Sequence, residues 1–408
     1  MKILCVLGEH NYGDPQRGGG YEYVNFLPAL RNLGHEVIFF ESYNKTAYAD
    51  FADLNRSLLE TVMQEDPDVI FFVLFGYEVW LETLALLRKK SRAVLINWAT
   101  DDSWKYTQFS RFFAPSFDIY VTTYPHAKKQ AEANGMTHVV LSQWAANSDA
   151  LVAPVPAAQC LYDVTFVGTS YGNRPKWIAD LAARGVAVTC YGKGWKNGVV
   201  SSLEMQRIIR ESRLTLNFGD SGLVFHGLIP TKSRQIKARI FEVPGAGGFL
   251  MTEGAERLEQ FFDVNREIAI FSDLDNLASQ IHHLLLHPEV RDEIAIAGYE
   301  RVVAEHTYEV RFSGLMDKAA SLLAQRATTC LTSEDLARFD SCVMAHRHVG
   351  PGLRLLRSSL IFLFRPFFDV TRAERAARRL LLEISWRLCG ATTYSASGLP
   401  GRLFYRAS

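Results

Sequence analysis

The chain has 408 residues, 48% of them hydrophobic and 22% charged, and its 44 basic residues balance 44 acidic ones. That length predicts two to three globular domains with sizeable cores, and a formal net charge of zero leaves no global argument for nucleic-acid binding. The six cysteines (5, 160, 190, 330, 342 and 389) form no C-x-x-C pair, which fits buried thiols in a reducing compartment and excludes a disulfide framework.

Strand-like apolar runs alternate with helical patterns from the start. The run Ile3–Leu7 is too short for a signal peptide and meets Glu9, His10 and Asn11 at once, so it reads as a first buried strand. A glycine-rich loop and a helix over 21–33 follow, then strands at 37–40, 69–74, 94–98, 119–122 and 139–141 with helices over 48–65, 77–89 and 125–134. This rhythm predicts a parallel sheet covered on both faces. It fails after Trp144, and Ala153-Pro-Val-Pro156 reads as a linker. A second alternation has strands at 164–167, 186–191, 214–217, 249–251 and 268–271. Its helices are predicted near 174–184, 203–212, 233–243, 274–286, 289–304 and 308–325. The expected domains are 1–150, a linker at 151–162, a second α/β domain at 163–326 and an extension at 327–408. Two doubly wound halves imply a ligand cleft at their strand C-terminal ends. No apolar stretch approaches the roughly 20 residues a membrane-crossing helix needs, so the cytoplasm is expected.

Several short stretches have residue types suited to chemistry. In Gln235-Ile-Lys-Ala-Arg-Ile-Phe-Glu-Val-Pro-Gly-Ala-Gly-Gly248, apolar residues fall at helical spacing while Lys237, Arg239 and Glu242 are directed elsewhere. Pro244 and the glycines, including Gly247 and Gly248, are expected to stop the helix before a buried strand. Such a unit suits a ribose at Glu242 and phosphate at the cations and backbone N–H groups; the plain alternative is an αβ corner with a solvated basic face. Gly168-Thr169-Ser170-Tyr171-Gly172-Asn173-Arg174 follows a strand and opens a helix, an arrangement that suits a pyrophosphate or is simply a βα loop. Arg17-Gly18-Gly19-Gly20-Tyr21 lets backbone approach a ligand or forms a surface turn. Asp101 and Asp102 follow a strand between two tryptophans, where one offers a general base or Asp102 caps a helix. His282, His283 and His287 close a helix before Pro288, where they suit the dipole better than zinc.

The spacing of Lys237, Arg239, Phe241, Glu242, Pro244, Gly247 and Gly248 resembles the donor-site signature of the spore-maturation-type glycosyltransferases, GT-B enzymes related to glycosyltransferase group 1. Glu267-Ile-Ala-Ile-Phe271, His287-Pro-Glu-Val-Arg291, Ala297-Gly298 and Glu305-His-Thr-Tyr308 stand in the same order as in that family. The resemblance covers about 163–325, is looser before that and is absent beyond about 330. It implies two Rossmann-like domains of the GT-B fold and sugar transfer from a nucleotide-diphosphate donor to an unidentified acceptor, a lipid-linked glycan, polysaccharide or protein, without a metal or other cofactor. Glu242 would hold the donor ribose. Arg174, Lys237, Arg239, Arg234 and the Gly168–Thr169 loop would hold the diphosphate, with His226 reaching the donor. Asp102, beside Asp101, would be the base, and Gly18, Gly19, Gly20 and Tyr21 would face the acceptor. Arg234 departs from the E-x7-E pattern of related retaining enzymes, which has a carboxylate there. A sugar-nucleotide epimerase and a non-catalytic two-lobed binding protein are the alternatives.

The last segment differs in composition. From Ser341 onward there are 11 arginines and no lysine against Asp369, Glu374 and Glu383. Thr371–Leu388 reads as a helix with Arg372, Arg375, Arg378 and Arg379 set against Leu380, Leu381, Ile384 and Leu388. Such a helix attaches to the inner membrane face or a partner through 345–390, or braces the protein's own N-terminal half.

Overall fold

The structure, a computed structural model, describes residues 1–44, 46–226, 229–327, 329–389 and 395–405; of residues 108, 220–226, 229–233, 386 and 389 it describes the backbone alone. The chain forms two compact units, one of 1–141 and 315–408, the other of 142–314.

In the first unit the strands are β1 (Lys2–Leu7), β2 (Glu36–Glu41), β3 (Val69–Phe72), β4 (Val94–Ala99), β5 (Ile119–Thr122) and β6 (Val139–Leu141). They alternate with α1 (Tyr21–Asn32), α2 (Phe51–Glu65), α3 (Leu81–Lys90), the short α4 (Asp102–Lys105) and α5 (Arg111–Phe113), and α6 (Pro125–Ala133). The sheet is parallel in the order β2-β1-β3-β4-β5-β6. Its strands read as continuous apolar runs because both faces are covered: every residue of β3 and β4 is buried. The direction of winding reverses between β1 and β3, the kind of switch point where open α/β sheets take ligands.

The second unit holds β7 (Tyr162–Val167), α7 (Arg174–Ala182), β8 (Thr189–Tyr191), α8 (Ser202–Arg210), β9 (Ser212–Asn217), β10 (Asp220–His226), β11 (Ile229–Arg234), α9 (Arg239–Gly245), β12 (Leu250–Glu253), β13 (Ala269–Phe271), α10 (Leu274–Leu286) and α11 (Pro288–Glu305). Its parallel sheet has the order β13-β12-β9-β7-β8, and β10 and β11 form a separate antiparallel pair. The residues predicted as linker lie within this unit. Arg291, 1% exposed, straps them down: Nη1 donates to the Val155 carbonyl at 2.9 Å, Nε to Arg213 O and Nη2 to Ser212 O, both at 2.8 Å.

Helix α12 (Tyr308–Leu323) returns the chain to the first unit, where α13 (Ser333–Arg347), α14 (Pro351–Phe364), α15 (Val370–Cys389) and α16 (Leu399–Phe404) complete it. Leu336, Phe339, Leu381, Leu382 and Phe404 share one core with Leu4, Ile70 and Leu84. Tyr405 stacks on Tyr77 with ring centroids 4.4 Å apart, and Arg347 pairs with Asp50 at 3.0 Å. Most of the C-terminal segment is therefore a brace. The apolar side of α15 that faces inward is Ala373, Ala377, Leu381 and Leu382, whereas Ile384 and Leu388 are exposed.

Two local expectations are corrected. The helix predicted over 233–243 begins at Arg239: 233–234 close strand β11 and 235–238 are irregular. Pro244 does not stop it: it sits in the last turn, and the cap is Ala246.

Candidate functional site

The second unit gathers polar residues at the C-terminal ends of three neighbouring strands. Residues following β7 and β9, together with Glu253 ending β12, enclose an open pocket of about 440 Å³ lined by Tyr171, Gly172, Asn173, Arg174, Trp177, Phe218, Arg234 and Glu253. Arg174, the first residue of α7, donates to Thr169 O at 2.8 Å and to the Tyr171 hydroxyl at 3.1 Å, and its guanidinium lies 4.0 Å from the Tyr171 ring centroid. Lys237 Nζ reaches the same hydroxyl at 3.3 Å and Phe218 O at 3.4 Å. Arg234 pairs with the buried Glu253 at 3.2 Å, and the other Glu253 oxygen accepts from the Gly219 N–H at 2.8 Å. Arg174 and Arg234 thus line one concave site, Lys237 approaches it through the Tyr171 hydroxyl, and Arg234, where the E-x7-E pattern of related retaining enzymes has a carboxylate, has an acid beside it supplied by another strand.

The loop before Arg174 is held from behind. Gly168 N donates to Tyr191 O, Ser170 N to Lys193 O, and Trp195 Nε1 to Gly168 O. Gly192, at φ +124°, lets the next loop come so close that a Cβ there would lie 2.3 Å from Gly168 O.

Glu242 and Arg239 form a second group on α9, paired at 3.2 Å, with Arg239 also 2.7 Å from Met205 Sδ. Neither lines the 440 Å³ pocket. Gly247 and Gly248 are turn and packing residues. Their N–H groups donate to Pro244 O and Val243 O at 2.9 Å, the αL turn that ends many helices, and a Cβ on Gly248 would meet Ile209 at 2.5 Å. Those two donors are engaged by the helix end, not presented to phosphate. His226 ends β10, and its side chain lies outside the described residues.

In the first unit, acids collect beyond the ends of β1, β3 and β4. Asp102 is the first residue of α4, so it is not the cap; the N-cap is Asp101, whose side chain makes no capping hydrogen bond. Asp102 is 3% exposed. Burial pushes its carboxyl up to about 6, partly offset by the Ser110, Thr122 and Tyr120 hydroxyls and by Lys105. Its Oδ1 accepts from the Tyr120 hydroxyl at 3.3 Å, while Oδ2 has no hydrogen-bond partner among the described residues, nor does Asn97 Oδ1. Both residues line a pocket of about 310 Å³ with Asp101, Lys105 and Ser110. A π turn over Tyr106–Ser110 brings Ser110 to this place, a distortion that recurs at functional sites. Lys105 Nζ donates to Phe75 O at 2.9 Å and lies 3.4 Å from Asp101.

Glu22, in the first turn of α1, is buried, which no local feature of the sequence signals. Burial pushes it up to about 7, with Asp101 adding to the shift and its own backbone N–H and Lys105 opposing it. Burial likewise raises Glu78. The glycine loop sets this geometry: Gly20 N donates to Glu9 O at 2.7 Å, Asn11 Nδ2 to Gly19 O at 2.8 Å, and Asn11 N to Gly18 O. A Cβ on Gly20 would lie 2.8 Å from Gly8 O. Tyr21 O accepts from Asn25.

Among the described residues, Glu9, His10 and Glu41 bring metal-ligand atoms within 4.8 Å of one another. Glu41 is committed otherwise, accepting from the Glu9, Tyr43 and Asn44 N–H groups.

Both sheets and their helices match the fold of solved GT-B glycosyltransferases. Sucrose-phosphate synthase from Thermosynechococcus elongatus aligns at TM-score 0.56 with 13% identity, over 80% of this chain and 100% of its own. HepE of Anabaena, solved with UDP, gives 0.52 and 11% over 79% and 100%. The lipopolysaccharide outer core galactosyltransferase WaaB gives 0.50 and 12% over 79% and 99%. Residues 174–317 match a family model described as glycosyl transferase-like, so this GT-B chain is an enzyme of the glycosyltransferase class. No curated protein matches its sequence.

Proposed function

We propose that the chain transfers a sugar from a nucleotide-diphosphate donor to an acceptor hydroxyl without a metal, as a GT-B enzyme of the spore-maturation type. The observation that carries this reading is the pair Arg174 and Arg234 lining one pocket at the ends of β7, β9 and β12, with Lys237 joined to it through the Tyr171 hydroxyl. A diphosphate there meets cations whose charge stabilises the leaving group as the bond to the anomeric carbon breaks. Glu242, steadied by Arg239, accepts from the ribose hydroxyls. HepE, which shares the fold, has been solved with UDP and with UDP and glucose, which supports a nucleotide sugar as donor.

On the first unit, Asp102 is the base. Its unpartnered Oδ2 takes the acceptor proton while the acceptor oxygen bonds to the anomeric carbon, and the displaced electron pair leaves with the diphosphate. A carboxyl pushed up to about 6 is ionised at pH 7 to 8 yet more basic than an ordinary aspartate. The test is release of nucleoside diphosphate from UDP-, GDP- and TDP-sugars, with and without acceptor, in EDTA. Acceptor-dependent turnover that survives EDTA is expected. Turnover lost on chelation and restored by manganese or magnesium contradicts the metal-free reading, and isomerised donor without acceptor points to an epimerase.

A further inference from the structure

Helix α14 is apolar on two opposite sides. Leu353, Leu360, Ile361 and Phe364 face the core of the first unit, and Arg357 pairs with Glu374 of α15. Leu355, Leu356, Phe362 and Leu363 stand on the other side at helical spacing and are exposed, Phe362 by 74%. Phe367 and Phe368 continue the apolar surface into the turn before α15, at 76% and 44%. Singly exposed apolar residues are ordinary, but a contiguous group marks an interaction surface.

The charge around this surface indicates what covers it. Residues 351–388 carry eight arginines and no lysine against three acids, a surplus of five positive charges. Each acid already has an arginine: Asp369 with Arg372, Glu374 with Arg357 and Glu383 with Arg387. Arg354 of α14 and Arg365 at its C-cap are exposed, whereas Arg375 acts on Tyr43 and Arg379 on Tyr77 of the first unit's own body. Guanidinium forks match phosphate geometry, and exposed phenylalanines beside them suit the boundary between headgroups and acyl chains. Among the described residues no helix is long and apolar enough to cross a membrane, so the element lies along a surface.

We propose that the outer side of α14 and the turn after it dock the protein on an anionic lipid surface, with Phe362, Phe367 and Phe368 in the acyl boundary and the arginines among the phosphates. The proposal does not rest on glycosyl transfer, because none of these residues belongs to the donor or acceptor pockets.

Co-sedimentation of the full-length chain with vesicles of phosphatidylcholine containing phosphatidylglycerol, against phosphatidylcholine alone, tests it. Binding to the anionic vesicles only, weakening as salt rises, is expected. Phe362→Ser, Phe367→Ser and Phe368→Ser together should lower binding at least tenfold with the melting temperature unchanged. Arg354→Gln and Arg365→Gln should each weaken it about fivefold. No binding by the folded wild type at low salt, or equal binding by the triple phenylalanine variant, overturns the proposal. So does a wild-type dimer in light scattering that the triple variant turns into a monomer, since the surface then belongs to a second copy of the chain.

Discussion

Glu22 shows at the scale of one residue how burial converts an ordinary side chain into a titrating group. Its folded carboxyl titrates at about 7 against an ordinary 4.5, so the native state holds the proton more tightly than the unfolded chain. The stability this contributes is fully present below the unfolded value and is lost as pH rises through about 7. Above that, keeping Glu22 ionised costs up to about 3 kcal/mol, at about 1.4 kcal/mol per pH unit. Glu22→Gln should therefore stabilise the protein in urea unfolding at pH 8 and much less at pH 5; an equal effect at both pH values contradicts the assignment. The sequence shows Gly20-Tyr-Glu22 as a unit but not that the sheet buries its acid. Glu253 was hidden for a similar reason. It looks like the polar end of a strand, and only the adjacency of β12 and β9 brings it beside Arg234 and Gly219. The cations were legible because Arg174 opens a helix after a glycine loop, and Lys237 precedes a strongly periodic one.

Among the elements, those with long apolar periodicity were legible and the short irregular ones were not. The spacing of Ile236, Ile240, Phe241 and Val243 is helical, so read alone it carries the helix back to the end of β11. The β10–β11 ladder is short and holds Pro230, which argues against a strand when read alone. Its antiparallel pairing sets Val224 opposite Thr231, a relation no local window contains. The proline-rich strap is another such case. It reads as a linker, yet Val152 N donates to Gly245 O and the Arg291 guanidinium satisfies Val155, Arg213 and Ser212 carbonyls. Replacing that guanidinium leaves buried carbonyls without donors, at a cost of about 1–3 kcal/mol for each hydrogen-bonding group left unsatisfied. Arg291→Met should lower stability by about 3 kcal/mol or more in urea unfolding, the largest loss expected from any single arginine of the second unit. A change below about 1 kcal/mol contradicts the strap.

Over the whole molecule, the two alternations of strand and helix were visible because parallel strands buried on both faces leave unbroken apolar runs. The return of the C-terminal segment to the first unit was one of two readings the sequence left open. Arginines mark the segment in the sequence, while the residues that tie it down, Leu336, Phe339, Leu381 and Phe404, are scattered over three helices. The central proposal is a donor site on the second unit in which Arg174, Lys237 and Arg234 would meet a diphosphate and Glu242 a ribose. Calorimetry of UDP, GDP and TDP with the wild type and with Arg174→Ala, Lys237→Ala, Arg234→Ala and Glu242→Ala tests this most directly. One nucleoside diphosphate should bind the wild type selectively, and each variant should lose about 1–3 kcal/mol of binding, as expected for charge-assisted hydrogen bonds. Folded variants that bind that nucleotide as tightly as the wild type, or a folded wild type that binds none of the three, would contradict it.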